Sequence, residues 1–111
     1  LIPSLIIALN LQFKTLFIAG ADHNWMKDMM VDENNRVYLT QKHFYDEKTA
    51  QKNTMHKRGT GVRRMHEVLQ KFAHSFESYF KIKAYADKLG VPVINLTEGS
   101  FIDAFERRKL S

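Results

Sequence analysis

Thr15-Leu16-Phe17-Ile18-Ala19-Gly20-Ala21-Asp22-His23-Asn24-Trp25 is the stretch that decides the fold. A short continuous apolar run stopped by a glycine is the pattern of a strand in a parallel sheet, buried on both faces. A second run of this kind, Val91-Pro92-Val93-Ile94-Asn95-Leu96, lies near the other end of the chain. Pro92 sits at its start, where a missing N–H donor is tolerated. Between the two, Val62, Met65, Leu69, Phe72, Phe76, Tyr79 and Phe80 recur at helical spacing. They predict one helix from near Val62 to near Leu89, stopped by Gly90.

Strand, long helix, strand is a βαβ arrangement, so the two strands should be parallel with a right-handed crossover. Their trailing loops, Gly20 to Trp25 and Thr97 to Ser100, then fall at the carboxyl ends of the strands. Open α/β sheets place ligands there. Leu5 to Leu9, apolar nearly all round, reads as the end of a buried helix. Met29 to Val31 and Val37 to Leu39 flank Asp32-Glu33-Asn34-Asn35 and read as a hairpin, because Asn tolerates left-handed backbone angles. His43 to Thr60 has no clean period and reads as a long loop. Phe101 to Phe105 reads as one helical turn, and Glu106 to Ser111 as a charged tail. The expected fold is α/β: a partial Rossmann-like three-layer domain with parallel central strands, one long crossover helix and a β-hairpin insertion.

The 111 residues allow one domain at most. Two strands make a poor sheet, and the chain begins at Leu1 without Met. We therefore read residues 1–111 as a single C-terminal fragment, with further strands expected from upstream or from another chain. An unpaired sheet edge and an apolar first helix favour self-association. The eight Phe and four Tyr can fill a small core, which argues against disorder. With no Cys, disulfides and thiolate metal sites are excluded, and a reducing cytoplasm is the simplest location. Leu1 to Leu11 is too short to span a bilayer. The net charge of +5 favours anionic partners such as nucleotides, phosphorylated sugars or anionic lipid heads, so association with the inner face of the membrane is compatible.

Three clusters can carry chemistry. In the first, Gly20 lets a ligand approach the backbone, and Asp22 can accept from a sugar hydroxyl. His23 can shuttle a proton and Trp25 offers a stacking face. Its bland alternative is a strand-ending turn with Asp22 bonded to local backbone. The second is His43-Phe44-Tyr45-Asp46, which suits general acid–base work or sugar binding. A loop anchored by two buried rings is its alternative. The third is His56-Lys57-Arg58-Gly59-Thr60-Gly61-Val62-Arg63-Arg64, with Thr60 as N-cap. Glycines before a helix start free backbone donors for a phosphate, and a bound anion would offset the unfavourable placement of Arg63 and Arg64 in the first turn. A flexible basic loop is the alternative there. His66 and His74 do not have ligand spacing, and His66 is expected in packing. No His/Asp/Glu set has metal spacing, and no nucleophile elbow is present.

Phe13 to Trp25 resembles a segment of bacterial capsule and lipopolysaccharide biosynthesis proteins, relatives of bacterial sialyltransferases and of a hydroxymethylpterin-diphosphokinase-like superfamily that includes motility accessory factor-like proteins. Lys42 to Asp46, Met65-His66-Glu67 and Asn95 to Phe105 resemble segments of the same group. The resemblance implies a nucleotide-sugar-dependent glycosyltransferase-like protein of surface polysaccharide synthesis. Nucleotide sugar and glycan acceptor would be its ligands, with no separate cofactor and no metal. It implies a histidine base before a late helix; His56 has a similar place, and His43 competes for the role. Lys57 and Arg58 would steady the leaving phosphate, while Asp22, His23, Tyr45, Thr97, Gly99 and Ser100 would line the cleft. The glycine-rich nucleotide segment that such proteins carry near their N-terminus is absent from this sequence. The alternative function is a non-catalytic glycan- or phosphate-binding module. Nucleic-acid binding rests on charge alone and lacks a recognisable reading element.

Overall fold

The computed structural model describes residues 1–41, 51–54 and 61–110. The chain divides into two compact units, one formed by Leu1–His23 with Ala73–Ser111, the other by Asn24–Phe72.

The first unit is mixed α/β. Helix α1 spans Ile2–Asn10, strand β1 Leu16–Ile18, strand β5 Val93–Asn95 and strand β6 Glu106–Arg107. The three strands form one sheet in the order β1-β5-β6, and both pairings are parallel. Leu16 faces Val93, Phe17 faces Ile94 and Ile18 faces Asn95. Helix α2, Met65–Leu89, connects the two apolar strands as expected. Gly90, at φ +70°, ends it. The Gly90 N–H donates to Asp87 C=O and the Val91 N–H to Ala86 C=O, the paired bonds of a Schellman cap. That cap turns the chain directly into β5.

The third strand corrects two expectations. Extra pairing for the sheet comes from this chain's own last segment, read above as a charged tail. The stretch Phe101 to Phe105 is not helical. Side chains meet its Ile102 carbonyl instead: Arg107 and Asn95 both donate to it, and Arg107 also donates to the C=O of the preceding Ser100. Ile102, Ala104 and Phe105 are buried, which holds this short crossover against the core.

Alternation along the strands sends Leu16, Ile18 and Val93 to one face. They pack with Leu5 and Leu9 of α1 and with Tyr79, Ile82 and Ala86 of α2. The Tyr85 hydroxyl donates to Asn10 Oδ1 at 2.6 Å, tying the two helices side by side. On the opposite face Phe17 is 59% exposed, so β1 is not buried on both sides as its composition suggests. Only β5, the central strand, is buried throughout. Helix α1 is likewise half-covered, with Leu5 and Leu9 buried but Ile6 and Ile7 exposed. Along α2 the buried stripe runs through Val68, Tyr79, Ile82 and Ala86, which leaves Leu69 and Phe80 exposed on its flanks. His66 is exposed too, not packed. Among the described residues no helix is long and apolar enough to cross a membrane.

In the second unit, strands β2 (Met29–Val31), β3 (Val37–Gln41) and β4 (Gln51–Thr54) form an antiparallel sheet in that order. The expected hairpin is present, with Val31 opposite Val37 and Asn35 left-handed at φ 59°. The Asp32 carboxylate accepts from the Asn34 and Arg36 N–H groups, both at 2.9 Å, and closes the turn. Strand β4 lies inside the stretch expected to be one long loop. Gln51-Lys52-Asn53-Thr54 has no apolar alternation, so the strand follows from backbone pairing with β3 and not from its own pattern.

Candidate functional site

Because β1 and β5 are parallel and in register, their carboxyl ends coincide, and the two following loops leave the sheet together. The Leu96 N–H still donates to Ile18 C=O at 2.8 Å, extending the ladder by one rung. Gly20 then turns the first loop at φ +70° and Gly99 the second at φ +69°. A Cβ at either glycine would meet nothing within 4 Å. Backbone angle, and not crowding by the protein, therefore demands glycine there.

Hydrogen bonds join the loops. The Ala21 N–H donates to Thr97 Oγ1 at 3.1 Å, the Ser100 hydroxyl to Ala21 C=O at 2.6 Å, and the Phe101 N–H to Asp22 C=O at 2.8 Å. Asn95, 1% exposed, organises the second loop from beneath. Its Oδ1 accepts from the Thr97 N–H at 3.0 Å, and its Nδ2 donates to Ser100 Oγ at 3.1 Å. Ser100 Oγ also accepts from the Ile102 N–H at 3.2 Å. One donor and two acceptors exhaust a hydroxyl. Ser100, 3% exposed, thus builds the loop and has no bonding capacity left for a ligand. Asp22, Gly20 and Gly99 are exposed at its surface, and Thr97 is half-buried.

His23 closes the first loop in a left-handed conformation, φ 50°. Its ring packs edge-on against Tyr79, and Nε2 lies 2.6 Å from the Tyr79 hydroxyl. Burial lowers its pKa below the usual histidine value, against a smaller upward pull from Asp22. Burial also raises that of Tyr79. A histidine held neutral by burial stabilises the fold fully above its unfolded pKa of about 6.5, and that contribution is lost as pH falls through the lower folded value. His23→Asn tolerates the same backbone angle and should flatten the fall in Tm between pH 7.5 and pH 5. An identical pH slope in the variant would show that His23 contributes none of it.

Among the other expected residues, Trp25 begins a 3-10 turn, Trp25–Asp28, in the second unit, and its ring stacks on Phe72 with centroids 5.7 Å apart. His43, Tyr45, His56, Lys57 and Arg58 lie outside the described residues, as does Thr60. The start of α2 is later than expected. Arg64 occupies the N-cap, and Glu67, three residues on, accepts the Arg64 N–H through Oε2 at 2.8 Å. This is half of a capping box. Arg63 and Arg64 therefore precede the first turn, and a carboxylate already serves the helix dipole.

Reading the sequence also missed a cleft. About 600 Å³ in volume, it opens at the carboxyl ends of β5 and β6 and is lined by Asn95–Gly99 and Arg107–Leu110. Arg107 reaches back to Ser100 C=O at 2.6 Å, and Arg108 Nε pairs with Glu106 at 2.8 Å. The available signal was the basic run Arg107-Arg108-Lys109, which gains meaning only once β6 brings it beside the Thr97 loop. Comparison with protein-family models, curated proteins and solved structures gave no match to this chain. The arrangement itself offers exposed backbone, a carboxylate and three cationic side chains at one end of a parallel sheet, a chemistry suited to an anionic, hydroxyl-rich ligand. Among the described residues no group of three His, Cys, Asp or Glu side chains is placed to hold a metal ion.

Proposed function

We propose that the chain is part of a nucleotide-sugar-dependent glycosyltransferase-like protein of surface polysaccharide synthesis, working on the cytoplasmic side. The observation that carries this reading is the joining of the Gly20–His23 and Thr97–Ser100 loops at the carboxyl ends of adjacent parallel strands. Ligands of open α/β sheets bind in that position. In this reading the same two loops belong to the segments that resemble capsule and lipopolysaccharide biosynthesis proteins. The half-open sheet supports it too: helices α1 and α2 cover one face, while on the other Ile94 is buried and Phe17 is exposed, which fits a partial Rossmann-like domain.

In this reading Asp22, exposed on the first loop, accepts a sugar hydroxyl, and His43 or His56 takes the acceptor proton. Donor turnover by the full-length protein tests it. Replacing the histidine that acts as base should cost about 100-fold or more in turnover. Turnover unchanged from the parent in both His43→Ala and His56→Ala would remove both as bases. Nucleotide-sugar binding without any turnover would favour the non-catalytic module.

A further inference from the structure

We infer that the cleft between the Thr97–Gly99 loop and Arg107–Lys109 is a phosphate subsite, with Arg108 and Lys109 as its cations and Arg107 as the brace of its wall. This deepens the reading above and rests on it only for the identity of what the phosphate is attached to.

Position comes first. The cleft lies at the carboxyl ends of two parallel strands, and its floor, Asn95, is fixed by hydrogen bonds to Thr97, Ser100 and Ile102. The wall is therefore preorganised, so little ordering cost falls on binding. The donors come next. Arg107, Arg108 and Lys109 are consecutive, yet they do different work. Arg107 directs Nη2 at two carbonyls of the crossover, at 2.6 Å and 3.1 Å, and so holds the Ser100 turn in place. Arg108 meets Glu106 through Nε, whereas a guanidinium carries five N–H donors. On the opposite wall the Glu98 and Gly99 N–H groups donate to no acceptor among the described residues, and Gly99 has no side chain to screen them. Backbone N–H groups next to a left-handed glycine, in a cleft that Arg108 and Lys109 also line, suit a multi-oxygen anion. Glu98, exposed on the same lining, opposes a purely anionic ligand and can accept from a hydroxyl. The chemistry recognised is therefore a phosphate carried on a polyol, either a nucleotide or a phosphorylated sugar.

Amide chemical-shift mapping of the 111-residue chain with inorganic pyrophosphate, uridine diphosphate, cytidine monophosphate and uridine tests the subsite. Pyrophosphate should move Leu96–Gly99 and Arg107–Leu110, and uridine should not. R108Q/K109Q should weaken pyrophosphate by about tenfold or more. Shifts elsewhere, no shifts, or unchanged affinity in the double variant would overturn the subsite. If pyrophosphate binds in the cleft but neither nucleotide binds more tightly than it, the subsite stands and the nucleotide-donor reading fails.

Discussion

Asn95→Ala should lower the unfolding free energy by about 2–4 kcal/mol, read from urea denaturation at neutral pH. The substitution deletes an amide that is 1% exposed and bonded on both its ends. Ser100 Oγ and Ile102 C=O, both on buried residues, and the N–H of half-buried Thr97 each lose a partner. A buried polar group left unmatched costs about 1–3 kcal/mol, and the void adds a further cost. Asn95→Asp separates the two ends of the amide. A carboxylate can still accept from the Thr97 N–H but cannot donate to Ser100 or Ile102, and its charge would be buried. It should therefore be at least as damaging as alanine. A loss of less than about 1 kcal/mol for alanine would mean that the loop is held by something else.

Tyr79→Ala should cost about 3–5 kcal/mol, the range for removing a large buried ring. Tyr79 is 2% exposed and stands where three parts of the first unit meet. It packs edge-on against Phe105 of the crossover at 6.1 Å and against His23 of the first loop at 5.4 Å, while its backbone belongs to α2. Tyr79→Phe keeps the ring and removes only the hydroxyl 2.6 Å from His23 Nε2, so about 1 kcal/mol is expected. Near-equal losses in the two variants would mean that the hydroxyl, not the ring, carries the stability.

The parts of the fold legible in the sequence were those with a strong local signature. Leu16 to Ile18 and Val93 to Asn95 are apolar runs bounded by glycine or proline, and α2 has a sustained period and a glycine stop. Their parallel pairing followed from the handedness and economy of βαβ connections. Asn35 marked its turn because few other residues accept a left-handed angle. What was not legible depends on partners distant in sequence. Glu106-Arg107 has no strand pattern and pairs because β5 presents an open edge. Gln51 to Thr54 pairs with β3 for the same reason. The Phe101 to Phe105 stretch has helical-looking spacing, yet its Ile102 carbonyl accepts from the Asn95 and Arg107 side chains.

The site divides along the same line. The placement of Gly20, Asp22, Thr97 and Gly99 is legible because loops at the carboxyl ends of parallel strands can be located once the strands are. Ser100 lies in the expected loop, but its hydroxyl is committed to Ala21, Asn95 and Ile102, and such commitments cannot be read from its neighbours in sequence. Asn95 looked like the polar end of a strand, and only the tertiary fold shows it as the post on which the second loop hangs. The basic cleft needed β6, which the sequence pattern does not announce.

The account depends on β1 and β5 running parallel, in the register that brings their trailing loops together. Cross-strand nuclear Overhauser contacts in the uniformly labelled chain read this directly. The Leu16 N–H bonded to Pro92 C=O and the Leu96 N–H bonded to Ile18 C=O predict short contacts from Leu16 N–H to Val93 Hα and from Leu96 N–H to Ala19 Hα. Finding both, with slow exchange of the two amides, is the expected result. Close Hα–Hα contacts between the strands, the mark of antiparallel pairing, or rapid exchange of both amides would contradict it.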